Sequence, residues 1–305
     1  MRQNDEVMYL VRACQRAGTV QILSGHTLDS FLDVMSLVRN RPKGAVNLCH
    51  IAPVKGKSST GLFHCKNLFY GGAYQNKKFG RRYLGGGLSI SHKNLKSKWR
   101  VEQDTPANDV LMLVEEFLGD IIPKYLEVAP VRKSKKYQLV EKIVELKPGV
   151  SGEGLMKLSY NALATELGDL CHVPVNSFSA TSESKYIAYM DGLSRFIEYG
   201  DKRKAMLCKL RKAMVVSYMA LERVKCSGTV NKYFYVKYEP LMDSKYAYAI
   251  MKDPREWSAF KDFIYDAAFF VLQGGELDFG VFRKQMMSYL QFPKSLEELL
   301  NHNYV

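Results

Sequence analysis

Side chains that can transfer protons or bind metals are concentrated between positions 49 and 76. A cysteine and a histidine are adjacent in the sequence at two places, Cys49-His50 and His64-Cys65. A histidine imidazole titrates near neutral pH and can accept a proton from water, while thiolate and imidazole are ligands that zinc prefers. The pairs lack the two-residue spacers of common zinc sites, so the sequence favours proton transfer over zinc binding.

The same stretch carries several short motifs in a fixed order. Cys49-His50-Ile51-Ala52-Pro53 comes first, Gly61-Leu62-Phe63-His64 second and Asn67-Leu68-Phe69 third, with Asn76 nine residues after Asn67. Over roughly residues 45–85 this order resembles the HNH endonuclease family, in the variant whose last motif residue is Asn. That family typically starts its motif with Asp-His, and Cys49 stands where the Asp is expected.

The resemblance implies a ββα fold around one divalent metal ion, and an activity that hydrolyses DNA. It implies that His50 is the general base, that Asn67 braces the hairpin carrying it, and that Cys49 and Asn76 hold the metal. Magnesium prefers oxygen ligands, whereas a thiolate suits zinc. The expected cofactor is therefore magnesium or zinc in an active enzyme. Because Cys49 replaces the Asp, DNA binding with catalysis lost is the leading hypothesis.

The net charge of +13 has one origin in the sequence. Between Asp33 and Glu102 there is no acidic residue, and this interval holds 14 of the 44 Lys and Arg. The rest of the chain is close to neutral, with 30 basic and 31 acidic residues. A concentrated positive field attracts polyanions, and counterion release drives their binding. DNA is the expected partner, RNA is an alternative, and a solvated face is the plainer interpretation.

Within this interval, cations alternate with aromatic residues that can stack on bases or form a small core. We expect Phe69 and Phe79 to be core residues, and Tyr70, Tyr74, Tyr83 and Trp99 to fit either role. The residues expected to contact nucleic acid are Lys55, Lys57, Lys77, Lys78, Arg81, Arg82, Lys93, Lys96, Lys98 and Arg100.

The surrounding elements divide the chain into three predicted regions. Residues 1–44 form a helical segment in which Thr27 caps the second helix, 45–101 form the basic HNH-like module, and 102–305 form a mainly helical domain. The predicted fold class is therefore α+β, with a small ββα-metal-like module followed by helices. Thr105-Pro106 marks a helix start, Gly85-Gly86-Gly87 a flexible end or turn, and Val230–Tyr238 a strand.

Composition narrows the class of protein. Six scattered cysteines without a Cys-x-x-Cys pair indicate a reduced, intracellular protein, expected in the cytoplasm, with most thiols buried as small apolar groups. No apolar run is long enough to span a membrane, and the start lacks the pattern of a secretory signal. The leading hypothesis is compatible with a phage or mobile-element origin.

Three alternatives remain open. Leu158–Phe178 resembles part of a helix-turn-helix, although Pro174 fits poorly and an ordinary helix followed by a loop is favoured. A basic helix side with Arg203, Lys204, Lys209, Arg211 and Lys212 is either a second phosphate-binding surface or one side of an amphipathic helix. The chain is also compatible with a regulatory factor that docks on an acidic protein.

Overall fold

The computed structural model describes residues 5–42, 45–129, 134–171, 185–225 and 231–295. Over these residues helices dominate, and the strands form small two-stranded antiparallel sheets. The expected α+β class and the mainly helical C-terminal two-thirds are thus confirmed at this coarse level.

Helices and short strands alternate along the N-terminal part of the chain, and helices predominate after it. The N-terminal part contains α1 (Asp5–Ala17), α2 (Leu28–Arg39), β1 (Val46–His50), β2 (Ser59–Gly61), β3 (Leu68–Gly72), α3 (Ala73–Phe79) and β4 (Ser89–Ser91). The middle contains α4 (Ala107–Leu118), α5 (Ile121–Val128), α6 (Lys135–Leu146), α7 (Gly152–Lys157) and α8 (Tyr160–Cys171). The C-terminal part contains α9 (Lys185–Glu198), α10 (Lys204–Lys225), α11 (Lys232–Lys237), β5 (Ile250–Met251), α12 (Trp257–Leu272), α13 (Phe279–Tyr289) and β6 (Leu290–Gln291).

The chain forms two compact units, and each unit takes residues from several separate stretches. Unit 1 draws its described residues from 5–41, 54–65 and 89–171, and unit 2 from 42–53, 66–88 and 185–295. The boundaries of these units cross the three consecutive regions expected from the sequence. The basic interval contributes β2 and β4 to unit 1, and β1, β3 and α3 to unit 2.

Two helices begin where the sequence predicted a helix start. The Thr27 side chain accepts a hydrogen bond from the Ser30 N–H, and the Ser30 hydroxyl accepts one from the Thr27 N–H, so the expected cap is a reciprocal capping box. Helix α4 begins directly after Thr105-Pro106, but Pro106 precedes its first residue and no side chain caps it, because the Thr105 hydroxyl accepts the Glu102 N–H instead.

One predicted strand is a helix instead. Residues 232–237 form α11, whose start is capped by the Asn231 side chain through the Phe234 N–H. Phe234 and Tyr238 are both fully buried, and their four-residue spacing places them on one helix face. The β-branched and aromatic composition that suggested a strand was overridden by burial and capping. In the predicted helix-turn-helix, α8 is described, but its turn and second helix lie outside the described residues.

The core of unit 2 is built on α9, α10 and α12. These helices bury aromatic and aliphatic side chains, and the same cluster includes Cys49, Phe69 and Phe79 from the basic interval. Phe69 and Phe79 both pack their rings against Phe269 of α12. The two phenylalanines are therefore core residues, as expected, and they fix β3 and α3 on the helices.

Candidate nucleic-acid interface

Strands β1 and β3 and helix α3 form a continuous small element in unit 2, which we call the ββα element. The strands are antiparallel, with Val46 opposite Gly72 and His50 opposite Leu68. Helix α3 starts at Ala73, directly after β3, and the Ala73 N–H donates to the Ala45 carbonyl at 2.9 Å. The order is strand, strand, helix, with His50 ending the first strand and Asn76 inside the helix.

Asn67 holds this element together from within. It is fully buried, and its side-chain oxygen accepts the Ala52 N–H at 2.8 Å and the Leu88 N–H at 3.2 Å. Its amide nitrogen donates to the Ala52 carbonyl at 3.3 Å, and its main-chain carbonyl accepts the Ile51 N–H at 2.9 Å. Asn67 thus braces the chain immediately after His50.

His50 and Cys49 occupy different environments although they are neighbours. His50 is half-buried at the end of β1, whereas Cys49 is almost fully buried in the core of unit 2. Neighbouring residues of a strand direct their side chains to opposite faces of the sheet. Strand geometry therefore separates the imidazole from the thiol.

The two residues expected to hold a metal ion, Cys49 and Asn76, lie in different environments. Burial in the core of unit 2 raises the pKa of the Cys49 thiol to about 12. Asn76 is half-buried in α3 and offers one amide oxygen. Among the residues that the structure describes, no three His, Cys, Asp or Glu side chains come together as a metal-binding group. Magnesium and zinc both remain expectations of the sequence resemblance.

The basic side chains of unit 2 lie on α3 and the turn after it. Lys77, Lys78, Arg81 and Arg82 are all exposed. Lys78 pairs with Asp266 of α12 at the surface. The Arg82 guanidinium stacks on the Phe79 ring, 4.5 Å from its centroid, and donates to the Phe79 carbonyl at 2.9 Å. Phe79 is buried, so the guanidinium of Arg82 is held on a fixed support.

Unit 1 contains a second basic region, residues 89–100, which we call the lysine stretch. It begins with β4, which pairs with β2, and continues through two short turns. The side chain of Gln21 supports it, donating to the Asn94 carbonyl at 3.1 Å and accepting the Lys96 N–H at 2.6 Å. The expected contact residues of this unit are all exposed: Lys55, Lys57, Lys93, Lys96, Lys98 and Arg100.

The aromatic residues of the basic interval divide into two groups. Trp99 is buried and packs edge-on against Phe117, with ring centroids 5.0 Å apart. Tyr74 and Tyr83 are exposed by 59% and 48%. Trp99 is therefore a core residue of unit 1, and the two tyrosines are the side chains with rings accessible to bases.

The basic side of α10 is partly structural. Arg203 forms a forked pair with Asp201 and donates to the Val271 carbonyl at 2.6 Å, and Arg211 donates to the Ser194 hydroxyl at 2.8 Å. These two arginines hold unit 2 together, which disfavours the alternative of a second phosphate-binding surface through them.

Sequence reasoning missed one group of residues in unit 2. Lys66, Tyr199 and Lys202 line a groove together with the segment Gly85–Gly87. Tyr199 and Lys202 are more than 110 positions after Gly87, so no local pattern connects them with it. Three consecutive glycines were the available signal, because such a run allows close backbone approach.

Among the described helices, none is long and apolar enough to cross a membrane. Comparisons with known proteins found no match, since no family model, no curated protein and no solved structure is significantly similar to this chain.

Proposed function

We propose that this chain is a DNA-binding protein that grips the phosphate backbone with the cations of its ββα element. The carrying observation is that four exposed cations, Lys77, Lys78, Arg81 and Arg82, lie on a short helix and turn fixed to the core. Contacts between such cations and phosphates release counterions and provide affinity for any DNA sequence.

The rigidity of the support favours this function over mere solubilisation. Helix α3 is anchored by the buried Phe79 and by the hydrogen bond from Gln75 to Asp266 at 3.3 Å. Cations on an anchored element lose less conformational entropy on binding than cations on a loose segment. The surface pair of Lys78 with Asp266 is of the kind that contributes under about 1 kcal/mol to stability. Lys78 can therefore leave Asp266 and contact a phosphate at a small cost in free energy.

The first experiment reverses two charges and measures DNA affinity. Lys77 and Arg81 are chosen because, within the described residues, their side chains make no ion pair or hydrogen bond. The double variant Lys77→Glu/Arg81→Glu should bind a duplex at least about tenfold more weakly at physiological salt. The matched control is Arg283→Glu/Lys284→Glu, which makes the same charge change at two exposed residues of α13 in the same unit.

The outcomes separate the hypotheses. Equal losses in the two double variants would show that net charge, and not the ββα element, governs binding. Absence of any DNA binding by the wild-type chain would contradict the proposed function and favour the alternative of an acidic protein partner. Thermal melting of each variant checks that the charge changes leave the fold intact.

A metal-dependent endonuclease is the second candidate, and the order of His50, Asn67 and Asn76 along the ββα element favours it. The burial of Cys49 in the core of unit 2 disfavours it. We therefore expect no nicking of supercoiled plasmid with magnesium, manganese or zinc. Nicking that disappears in His50→Ala, with DNA binding retained, would establish the enzyme and overturn this expectation.

A further inference from the structure

Unit 2 contains a groove of about 670 Å³ beside the Asn67 brace. Its lining includes the segment Gly85–Gly87, which we call the glycine loop, and the side chains of Tyr199, Lys202 and Lys66. The volume is within the range of sites that hold small organic molecules. Its walls combine an aromatic ring, cations and bare backbone, which is the combination that nucleotides require.

The glycine loop is fixed at three points. At Gly87, which has a φ of +69°, an added Cβ would lie 2.2 Å from the Asn67 side-chain oxygen. At Gly274 an added Cβ would lie 2.6 Å from the Gly85 carbonyl oxygen, so the turn after α12 packs directly on the loop. The Tyr83 hydroxyl donates to the Gly86 carbonyl at 2.8 Å. The sequence suggested a flexible end or turn, whereas this loop is a preformed wall.

Neighbouring side chains also hold the Tyr199 part of the lining in place. The Phe196 ring packs edge-on against Tyr199, with centroids 6.2 Å apart. The Arg195 guanidinium lies 5.8 Å from the centre of the Tyr199 ring and donates to the Leu68 carbonyl at 2.5 Å. The Lys66 ammonium lies 5.9 Å from the same ring centre. The tyrosine is therefore held in place with positive charge beside it.

The charges of the groove favour an anion. Arg203 and Asp201 neutralise each other through their forked pair. The other charged side chains of the wall are Lys66, Lys202 and Glu276, all of them exposed. Their balance is positive, and the two lysines can follow a phosphate because exposed lysine side chains are long and mobile.

We propose that this groove binds an unpaired nucleotide of single-stranded DNA. The base stacks on Tyr199, its phosphates contact Lys66 and Lys202, and the backbone of the glycine loop covers the other side. Stacking on an aromatic ring next to cations is a general means of holding unpaired bases without reading their sequence. This inference rests on the proposed function and extends it, because the ββα cations alone would hold a duplex.

The experiment measures fluorescence anisotropy of a labelled oligothymidylate of about ten nucleotides and, separately, of a labelled duplex. Tyr199→Ala should weaken oligothymidylate binding about tenfold or more and leave duplex binding nearly unchanged, whereas Tyr199→Phe should retain both. The control Tyr160→Ala removes another exposed tyrosine that lies outside the groove.

Tyr199 packs against the core, so a second variant guards against loss of folding. Lys66→Glu/Lys202→Glu changes two exposed residues and should also weaken oligothymidylate binding about tenfold. The control Arg283→Glu/Lys284→Glu should not. Each variant is checked by thermal melting before it is compared.

Two results would be decisive against the proposal. If the wild-type chain binds duplex but not oligothymidylate, the groove proposal fails and the proposed function stands. If oligothymidylate binds but neither the Tyr199→Ala nor the double-lysine variant weakens it more than its control, single strands bind elsewhere. If neither nucleic acid binds, the proposed function itself fails.

Discussion

The ββα element of unit 2 and the lysine stretch of unit 1 come from one acid-free interval, yet their supports differ. The ββα element rests on two paired strands, the buried Asn67 amide and rings that pack against Phe269. The lysine stretch rests on the β2–β4 pair, the side chains of Gln21 and Thr19, and the buried Trp99. The same composition has produced two basic surfaces that are held in different ways.

Charge density and binding geometry are therefore separate properties of a basic surface. Both regions attract phosphates, because attraction depends on the number of exposed cations. Only a region whose cations keep fixed positions can select one nucleic-acid shape over another. We therefore expect the ββα element to determine how DNA is held, and the lysine stretch to add affinity.

The largest expected loss of stability comes from removing the side chain of Asn67. Asn67→Ala leaves the buried Ala52 N–H and carbonyl, and the partly buried Leu88 N–H, without this partner. The free energy of unfolding should fall by about 4 kcal/mol, measured by denaturant titration. Gln21→Ala removes two hydrogen bonds from the lysine stretch and should cost about 2 kcal/mol. An equal or larger loss in Gln21→Ala would mean that the two supports do not differ.

Acid should act on unit 1 through His26. Its ring contacts the Phe63 carbonyl and stacks on His64, and burial is the main cause that lowers its pKa to about 4. As pH falls from about 6.5 to 4, the unfolded chain takes up a proton at His26 and the folded chain does not, so stability decreases. The expected loss is about 3 kcal/mol, complete below the folded pKa.

The control for this effect is His26→Gln. Its free energy of unfolding should be higher at pH 4, relative to its own value at pH 7, than that of the wild type. The Asn67 brace has no titrating group, so acid should leave it intact. Parallel pH profiles for wild type and His26→Gln would contradict the assignment.

Substitutions in the glycine loop test the close approach of Gly87 to Asn67. Gly87→Ala forces a Cβ into the Asn67 side-chain oxygen at a positive φ and should cost about 2 kcal/mol of stability. Gly86→Ala also has a positive φ, but its Cβ would meet no atom within 4 Å, so about 1 kcal/mol is expected. Thermal melting of the two variants measures the difference. Equal losses would show that backbone strain, and not the close approach to Asn67, limits this position.

The smallest expected effect is the loss of DNA affinity on replacing single lysines of α3 or of the lysine stretch. Lys77→Ala on α3 and Lys96→Ala in the lysine stretch should each weaken duplex binding a few-fold. Each should reduce the slope of log affinity against log salt by about 1, if the residue contacts a phosphate. The measurement is a salt titration of DNA affinity. An unchanged slope in Lys77→Ala, with a reduced slope in Lys96→Ala, would assign the main binding surface to unit 1.

The sequence predicted the parts of the fold that depend on local chemistry. Thr27 with Ser30 marks a helix start because a capping box involves residues within a few positions, and Thr105-Pro106 directly precedes the start of α4. The coarse class and the burial of Phe69 and Phe79 followed from composition and pattern. The exposure of all ten expected contact residues also agrees with their charge, although exposure alone does not establish contact with DNA.

The features that the sequence did not predict depend on contacts between positions that are far apart in the chain. No local signal shows that Tyr199 and Lys66 share a groove, or that the Gly85 carbonyl packs on Gly274. The helix at 232–237 was missed because burial of Phe234 against residues far along the chain outweighs local β preference. The division of the basic interval between two units has the same cause, since residue type does not encode which strand is paired with which.

The contact of Phe69 with Phe269 has a consequence for how the chain reaches its native state. Two hundred residues separate these rings, so the ribosome makes the ββα element long before α12 exists. At ordinary rates of translation this interval is roughly ten to forty seconds. Until α9 and then α12 are made, the apolar side of β1 and β3 lacks these partner helices, and its strands are open to aggregation or to a chaperone. Production at lower temperature or with added chaperones should therefore increase the soluble yield of the full chain.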